Sequence, residues 1–460
     1  MEQVRPAGVL VVPHGGSLLK ILGIGFGLAI VIGTAVGNGI LRNPGIVAAN
    51  LGSAGLVLAA WAVGGLIALV GANTYAELST ALPEDGGPCV FIRRAYGDFW
   101  GFAGGMCDFV QNGCSIAYFT ITIGEFARMI FPGIGERHQV VGISCLLVLT
   151  FLNWIGLRAG GFAQKVTSLV KVVALFALVV ACFAFGPIQT AGAPPVESVL
   201  AGSNPWIIMG GFALAINAVI GTYAGWNTAV YFSEENVDCS RCVPRSLFGG
   251  VATVMVIYVL VNAALLYAMP IETIAASKLP AADFVTGLVG SVGGTLITAL
   301  AICSVLGVMN AGLLFVPRIV FAMSRGGYLP ARFAQVNNGG TPAPALFFTV
   351  FVALICALSG TYETLLEISV FLFLASDSAV YLALFVLRRR EPGLVRPYRA
   401  RGYPVLPALA LVAALFILAL FVVGNTTNSL ISIGILVATY PVFLIVRSIM
   451  RRSNREIPEN

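Results

Sequence analysis

Long apolar runs separated by short polar gaps recur along nearly the whole 460-residue chain. About twelve of them meet the roughly 20 residues that a helix needs to cross a bilayer. They lie near 19–48, 55–82, 100–131, 138–156, 164–186, 205–234, 244–269, 283–325, 344–360, 364–387, 404–423 and 427–449. The eighth run is too long for one crossing and is expected to continue as a cytoplasmic extension. The ninth is short. The pattern predicts an all-α polytopic membrane protein of about 12 transmembrane helices, with no room between runs for a soluble domain of ordinary size.

Composition agrees. The chain is 58% hydrophobic and 10% charged, with a mean hydropathy of +0.93; soluble domains carry about 25% charged residues. A soluble enzyme, a nucleic-acid binder and a disordered chain are all poor fits. The net charge of +6 follows the gaps between runs. An even number of crossings places both termini on one side. With the N-terminus in the cytoplasm, about 21 of the 26 Lys and Arg fall inside, as the positive-inside rule requires. Arg42, Arg128, Arg137 and Lys278 fall outside, and Lys171 falls within a span. The N-terminal arm ends in an apolar run too long for a secretory signal and lacks its cleavage pattern.

Two spans carry glycine where a helix would resist it. The first contains Gly37-Asn38-Gly39-Ile40, followed by Pro44-Gly45; the sixth contains Gly221-Thr222-Tyr223-Ala224-Gly225-Trp226. Small residues also serve close helix packing in membranes, but two such stretches five spans apart are the mark of an inverted-repeat transporter with discontinuous helices. An unwound backbone is tolerated in the bilayer only where it lines a cavity or meets a ligand. Free N–H groups at a half-helix start bind an anion, and free C=O groups at a half-helix end bind an ammonium. Two breaks that meet near the midplane therefore suit an α-amino acid headgroup. The expected organisation is a cytoplasmic arm (1–18), two five-helix repeats (19–186 and 205–387), two further helices (404–449) and a cytoplasmic tail (450–460).

These motifs resemble the amino acid permeases of the amino acid–polyamine–organocation (APC) superfamily. Gly33-Thr34-Ala35-Val36-Gly37-Asn38-Gly39-Ile40 with Pro44 is similar to the first-helix motif of that family. Tyr75-Ala76-Glu77-Leu78, Leu82-Pro83, Gly86-Gly87 and Ala95-Tyr96-Gly97 resemble the end of its second helix and the following loop. Tyr223-Ala224-Gly225-Trp226-Asn227 with Glu234-Glu235 resembles helix six and its exit. Ser324-Arg325 with Leu329-Pro330, and Leu387-Arg388-Arg389-Arg390 with Arg396-Pro397-Tyr398 and Gly402-Tyr403-Pro404, resemble the loops after helices eight and ten. The matches run in order from about residue 20 to 450.

The resemblance implies a LeuT-like fold of 5+5 inverted repeats plus two helices, and secondary transport of amino acids by alternating access. It implies that Gly37, Asn38 and Gly39, with Ile40 beside them, meet the substrate carboxylate. It places Thr222, Tyr223 and Ala224 near the amine, Asn227 at the pocket edge, and Ala35 and Val36 in the side-chain pocket. Two residues depart from the family pattern. Asn38 stands where serine is common; its amide adds a possible donor. Gly221 stands where a bulky aromatic usually closes over the substrate, so either another side chain closes the pocket or the substrate is bulkier.

Charges within the spans are the remaining candidates. A lysine deep in a span costs about 3 kcal/mol on insertion scales, so Lys171 either snorkels to the interface or has a partner. By the resemblance it faces the site where sodium-coupled relatives bind a cation, bonding carbonyls of helix one, with Ser304 of helix eight as the nearest hydroxyl. There it could couple transport to a proton. Asp377 lies about 15 Å inside its span at 1.5 Å per residue, as a structural acid, a proton carrier or a partner for a cationic side chain. Asp108 and Glu125 read as interfacial, Arg42 as shaping an outer vestibule that attracts anions or as half of an outer-interface pair with an acidic neighbour, and Glu77 as structural or gating. Glu234 and Glu235 are expected to pair with cytoplasmic arginines.

No cofactor and no metal are expected. The two histidines, His14 and His138, are far apart in sequence, and Cys239-x-x-Cys242 lacks a second ligand pair; it reads as a reduced cytoplasmic loop. The remaining cysteines read mostly as packing. The loop from Phe131 to Gln139 holds no cysteine, so by the resemblance a disulfide-linked heavy chain is not expected. The function that best fits is a permease for L-amino acids in the inner (cytoplasmic) membrane. Its substrates would be neutral, bulky ones included, moved by proton coupling or exchange. A polyamine or cationic amino acid antiporter, supported by Asp377, and an amino acid sensor with little flux are the alternatives. A membrane enzyme would need a catalytic constellation that the sequence does not offer.

Overall fold

The computed structural model describes residues 18–37, 39–187, 205–424 and 426–455. Sixteen α-helices were found among them. In chain order these are α1 (Ile24–Ala35), α2 (Gly39–Leu51), α3 (Ala54–Ala81), α4 (Pro88–Tyr96), α5 (Asp98–Ile130), α6 (His138–Ile155), α7 (Leu157–Phe185) and α8 (Pro205–Tyr223). They continue as α9 (Cys239–Ala268), α10 (Ile271–Ala276), α11 (Pro280–Val289), α12 (Ser291–Arg325), α13 (Ala343–Ser359), α14 (Tyr362–Arg390), α15 (Val405–Gly424) and α16 (Thr426–Arg455).

Among the described residues, eight helices are long and apolar enough to cross a membrane, and nine if the bent pair α1–α2 counts as one span. The expectation of about twelve is therefore met only in part by this measure. α5 is long but falls short in apolarity, and α13, at 17 residues, is about one residue too short. The long lipid-facing helices leave large apolar side chains such as Phe162, Leu169, Phe176 and Val412 exposed, which is the surface expected of helices solvated by hydrocarbon.

Two expectations about element ends are corrected. The excess of the eighth run is not an extension beyond its C-terminus: Pro280–Val289 forms a separate helix, α11, before Gly290 at φ 72° starts α12. With α10 it packs against α2, on the face opposite the arginine-rich loops. The Cys239-x-x-Cys242 segment is not a loop but the first turn of α9, where the Asp238 side chain caps the Arg241 N–H. That cap adds a turn ahead of the apolar run and hides the helix start from hydropathy.

The interior is built around α1, which packs on α7, α9 and α12. α2 packs on α8, while α5 packs on α12 and α14. Residues 82–97, 233–238, 326–342 and 391–404 gather on one face, called here the basic face for its arginines. Glu77 accepts from Arg388 Nε at 2.9 Å and from the Ala400 N–H at 2.6 Å, and forms an ion pair with Arg396 at 3.0 Å. Glu234 pairs with Arg325 at 2.7 Å and Glu235 with Arg318, so the expected arginine partners are found. Arg318 is not in an exposed loop, however: it is fully buried within α12. Leu22 adds a two-way backbone bridge to this face, its N–H to Glu235 O at 3.1 Å and its C=O from the Val237 N–H at 3.0 Å.

Candidate functional site

The first break falls between α1 and α2, whose axes differ by 46°. Val36 closes α1 through its N–H to Ile32 O, and the Gly37 N–H turns back to Ala35 O at 2.8 Å. Asn38 lies outside the described residues. The second break follows Tyr223: α8 stops, residues 224–227 turn, and a short 3-10 helix, Thr228–Phe232, carries the chain onward. Gly225 sits at φ 91°, and a Cβ there would stand 2.5 Å from the Thr34 methyl. The two breaks thus touch through the one residue type that tolerates both the left-handed backbone and the close approach.

Each helix end leaves carbonyls that need donors, and most of those on α1 receive a buried side chain. Lys171 Nζ, fully buried on α7, donates to Gly33 O at 2.8 Å and Val36 O at 2.9 Å. Ser304 Oγ of α12 donates to the same Val36 O at 3.0 Å. Lys171 does not snorkel; it ties α7 to the end of α1, and Ser304 ties in α12. Tyr258 of α9 donates to Ala35 O at 2.7 Å and to Thr222 O at 3.1 Å, so a single hydroxyl bridges both breaks. The sequence reading missed Tyr258, because a tyrosine inside an apolar run looks like any other aromatic core residue.

A cavity of about 400 Å³ lies against the two breaks. Among the expected residues, Ala35, Gly37, Gly39, Gly221, Thr222, Ala224 and Asn227 line it. Val36 and Ile40 are buried outside its lining; Val36 contributes its carbonyl instead. Tyr223 points away, its hydroxyl on Trp61 O at 3.0 Å and its ring against Trp61 and Tyr258. Thr222 Oγ1 accepts from Asn43 at 2.6 Å, which fastens α2 to α8. A Cβ on Gly221 would meet nothing within 4 Å, so the place that an aromatic would occupy is open. The cavity reaches Arg42, Tyr362 and Glu367 toward the face opposite the basic one, and Arg42 stands 6.0 Å from the Tyr362 ring centre.

Asp377 does not line this cavity. It borders a small neighbouring one of about 30 Å³ with Trp226 and Tyr381, and accepts from Tyr75 at 2.5 Å and Tyr381 at 3.3 Å. Asp108, read from the sequence as interfacial, is fully buried. It accepts from Tyr231 at 2.9 Å, Gln111 at 2.7 Å and Asn112 at 3.0 Å, and all three of these donors line the main cavity. The misreading has a simple source: α5 begins at Asp98, so Asp108 is nearly three turns deep. Glu125, by contrast, is exposed.

The comparisons with known proteins agree with this architecture. The amino acid permease family model matches residues 17–446. The serine/threonine exchanger SteT of Bacillus subtilis (strain 168) is 31% identical over 431 residues, covering 93% of this chain and 96% of that protein. The Asc-type amino acid transporter 1 of Mus musculus is 27% identical, covering 93% of this chain and 81% of its own length. The large neutral amino acids transporter small subunit 2 of Homo sapiens is 28% identical, covering 94% and 81%. With two broken helices facing one cavity and a family match along nearly its whole length, the chain belongs to the amino acid permease family and is a multi-pass membrane protein that acts as a secondary amino acid transporter.

Proposed function

We propose that the chain carries neutral L-amino acids across the cytoplasmic membrane by alternating access, with both termini in the cytoplasm and the basic face inward. The observation that carries this reading is the meeting of the two breaks, touching through Gly225 and Thr34 and bridged by Tyr258 beside a cavity of about 400 Å³. The N–H groups at the start of α2 suit a carboxylate, with Gly37, Asn38 and Gly39 around it. The carbonyls that end α8, with Thr222 and Ala224, suit the ammonium. Asn227 stands at the edge of the cavity, and the open place beside Gly221 accommodates larger side chains. The orientation follows the arginine distribution.

Lys171 is the coupling group in this reading. It donates to two α1 carbonyls, one of which Ser304 shares, as a bound cation would accept them. A lysine in that place ties the position of α1 to its own protonation, which favours proton coupling or exchange over sodium coupling. Asp377 is enclosed by two tyrosine hydroxyls outside the main cavity, an arrangement that favours a neutral over a cationic substrate. The names of the relatives, a serine/threonine exchanger and a large neutral amino acids transporter small subunit among them, support the same substrate class and make exchange the first mode to test. No disulfide-linked partner is needed by this reading.

The test is counterflow in proteoliposomes preloaded with single amino acids. Accumulation of a labelled neutral amino acid, driven by unlabelled neutral amino acid inside, is expected. Flux of arginine or a polyamine with none of serine, threonine or larger neutral amino acids would replace this reading with that of a cationic antiporter. Binding without flux would make the protein a sensor.

A further inference from the structure

The closed basic face contains a charge imbalance that the transport reading does not use. Arg318 is fully buried and serves both oxygens of Glu235, through Nε and through Nη2 at 3.0 Å, while its Nη1 reaches Leu314 O. Its guanidinium lies 4.6 Å from the Phe232 ring centre. This ion pair is complete in itself. A second carboxyl, that of Asp85 in the loop after α3, is also buried and lies close enough to feel both charges of the pair. Asp85 Oδ1 accepts from the Glu234 N–H at 2.7 Å. Asp85 Oδ2 is buried and has no hydrogen-bond partner, and the Glu235 charge acts directly on the Asp85 carboxyl.

Two carboxylates cannot share one buried arginine as two anions without a large electrostatic cost, and a buried carboxylate oxygen without a donor adds to it. One proton removes both faults: placed on Asp85, it gives Oδ2 a hydrogen to donate toward Glu235 and leaves the cluster neutral. We infer that Asp85 and Glu235 form a proton-binding site that exists only while the basic face is closed. Burial first, and then the Glu235 charge, push the Asp85 carboxyl well above the ordinary carboxylate range, against the opposing pull of Arg318. The groups that face Asp85 are Glu235 from the segment after the second break, Arg318 from α12 and Cys239 at the start of α9.

The sign follows from linkage. The closed state binds the proton more tightly than the open state, in which both acids are hydrated. Acid therefore favours closure, and opening releases a proton. As pH rises from the ordinary carboxylate value toward the raised one, the closed-to-open ratio falls by up to about tenfold per pH unit. Proton uptake and release both occur at the basic face, so this site sets the opening equilibrium without carrying protons across.

The test uses the full chain in liposomes with two readouts. Efflux from the basic-face side should slow as that side is acidified, by up to about tenfold per pH unit. Asp85→Asn keeps the acceptor for the Glu234 N–H and adds a fixed donor toward Glu235, so its rate should be slow and should lose the slowing by acid on the basic-face side, while any dependence that comes from Lys171 remains. Infrared difference spectra should show a protonated carboxylic acid in the wild type that is lost in Asp85→Asn, a readout that needs no transport. Asp85→Ser, without a titratable group, serves where the Asn variant does not fold. The inference is overturned if the variants keep the wild-type pH profile, or if no carboxylic acid band depends on Asp85.

Discussion

The hydroxyl of Tyr258 stands 2.7 Å from the carbonyl of Ala35 and donates to it from α9, a helix that is itself unbroken. The same hydroxyl reaches Thr222 O at 3.1 Å, so the two breaks hold one position relative to each other through one atom. Tyr258→Phe deletes both bonds and keeps the ring packing against Trp61 and Tyr223. A buried acceptor left without a donor costs about 1–3 kcal/mol. The variant is expected to fold, to melt at a lower temperature, and to lose at least about tenfold in flux, since about 1.4 kcal/mol is a factor of ten. Melting curves and counterflow on the same preparation separate the two effects; wild-type flux in this variant would show that the bridge is structural alone.

Lys171 presents a different case, because its ammonium sits at the end of α1 and is bonded to Gly33 O and Val36 O. Lys171→Met keeps most of the volume and removes both bonds. Ser304 still serves Val36 O, which leaves Gly33 O without its lysine. Uptake is expected to fall at least about tenfold, and the pH dependence of what remains is expected to flatten, since a buried lysine is a group whose proton affinity burial changes. Uptake with the wild-type rate and pH profile would remove Lys171 from the coupling mechanism.

Gly225 tests the contact between the breaks. An alanine there meets the Thr34 methyl at 2.5 Å and is held at φ 91°. The strain is worth about 1–3 kcal/mol. Gly225→Ala is expected to lose transport, and Thr34→Ser in the same chain is expected to restore part of it, because it removes the methyl but not the backbone strain. Full activity in the single variant would mean that the breaks separate freely.

At Gly221 the expected effect is on selectivity. A side chain there enters open space along the cavity. Gly221→Phe is expected to weaken competition by large neutral amino acids at least about tenfold while small ones keep their KM, as a filled pocket rejects by volume. An equal loss for all sizes would place the substrate side chain elsewhere.

Much of this arrangement was legible in the sequence, and the exceptions share a cause. Gly37 and Gly39, and Gly221 and Gly225, marked the breaks because glycine is costly in a helix that has no reason to stop. Lys171 marked itself by its charge, and its two carbonyl partners lie on the helix that the motif reading named. Tyr258 gave no signal, since hydrophobic patterning does not register where a hydroxyl points. Arg318 was hidden by its place near the end of a long run, where cations are ordinary, and only packing shows that it is buried against Glu235. Asp108 was misplaced by an error of two residues in the start of α5 combined with the reading of a carboxyl as a surface group. Contacts between remote segments, such as Asp85 with Glu234 and Glu235, follow from the fold and have no local trace.

The central claim is that the two breaks read both ends of an α-amino acid headgroup. Competition against labelled neutral amino acid uptake, using an L-amino acid, the amine left by its decarboxylation and the acid left by its deamination, tests this most directly. Competition by the amino acid with none from the amine or the acid is the predicted result. Strong competition by the amine or the acid alone would contradict a site that needs both groups.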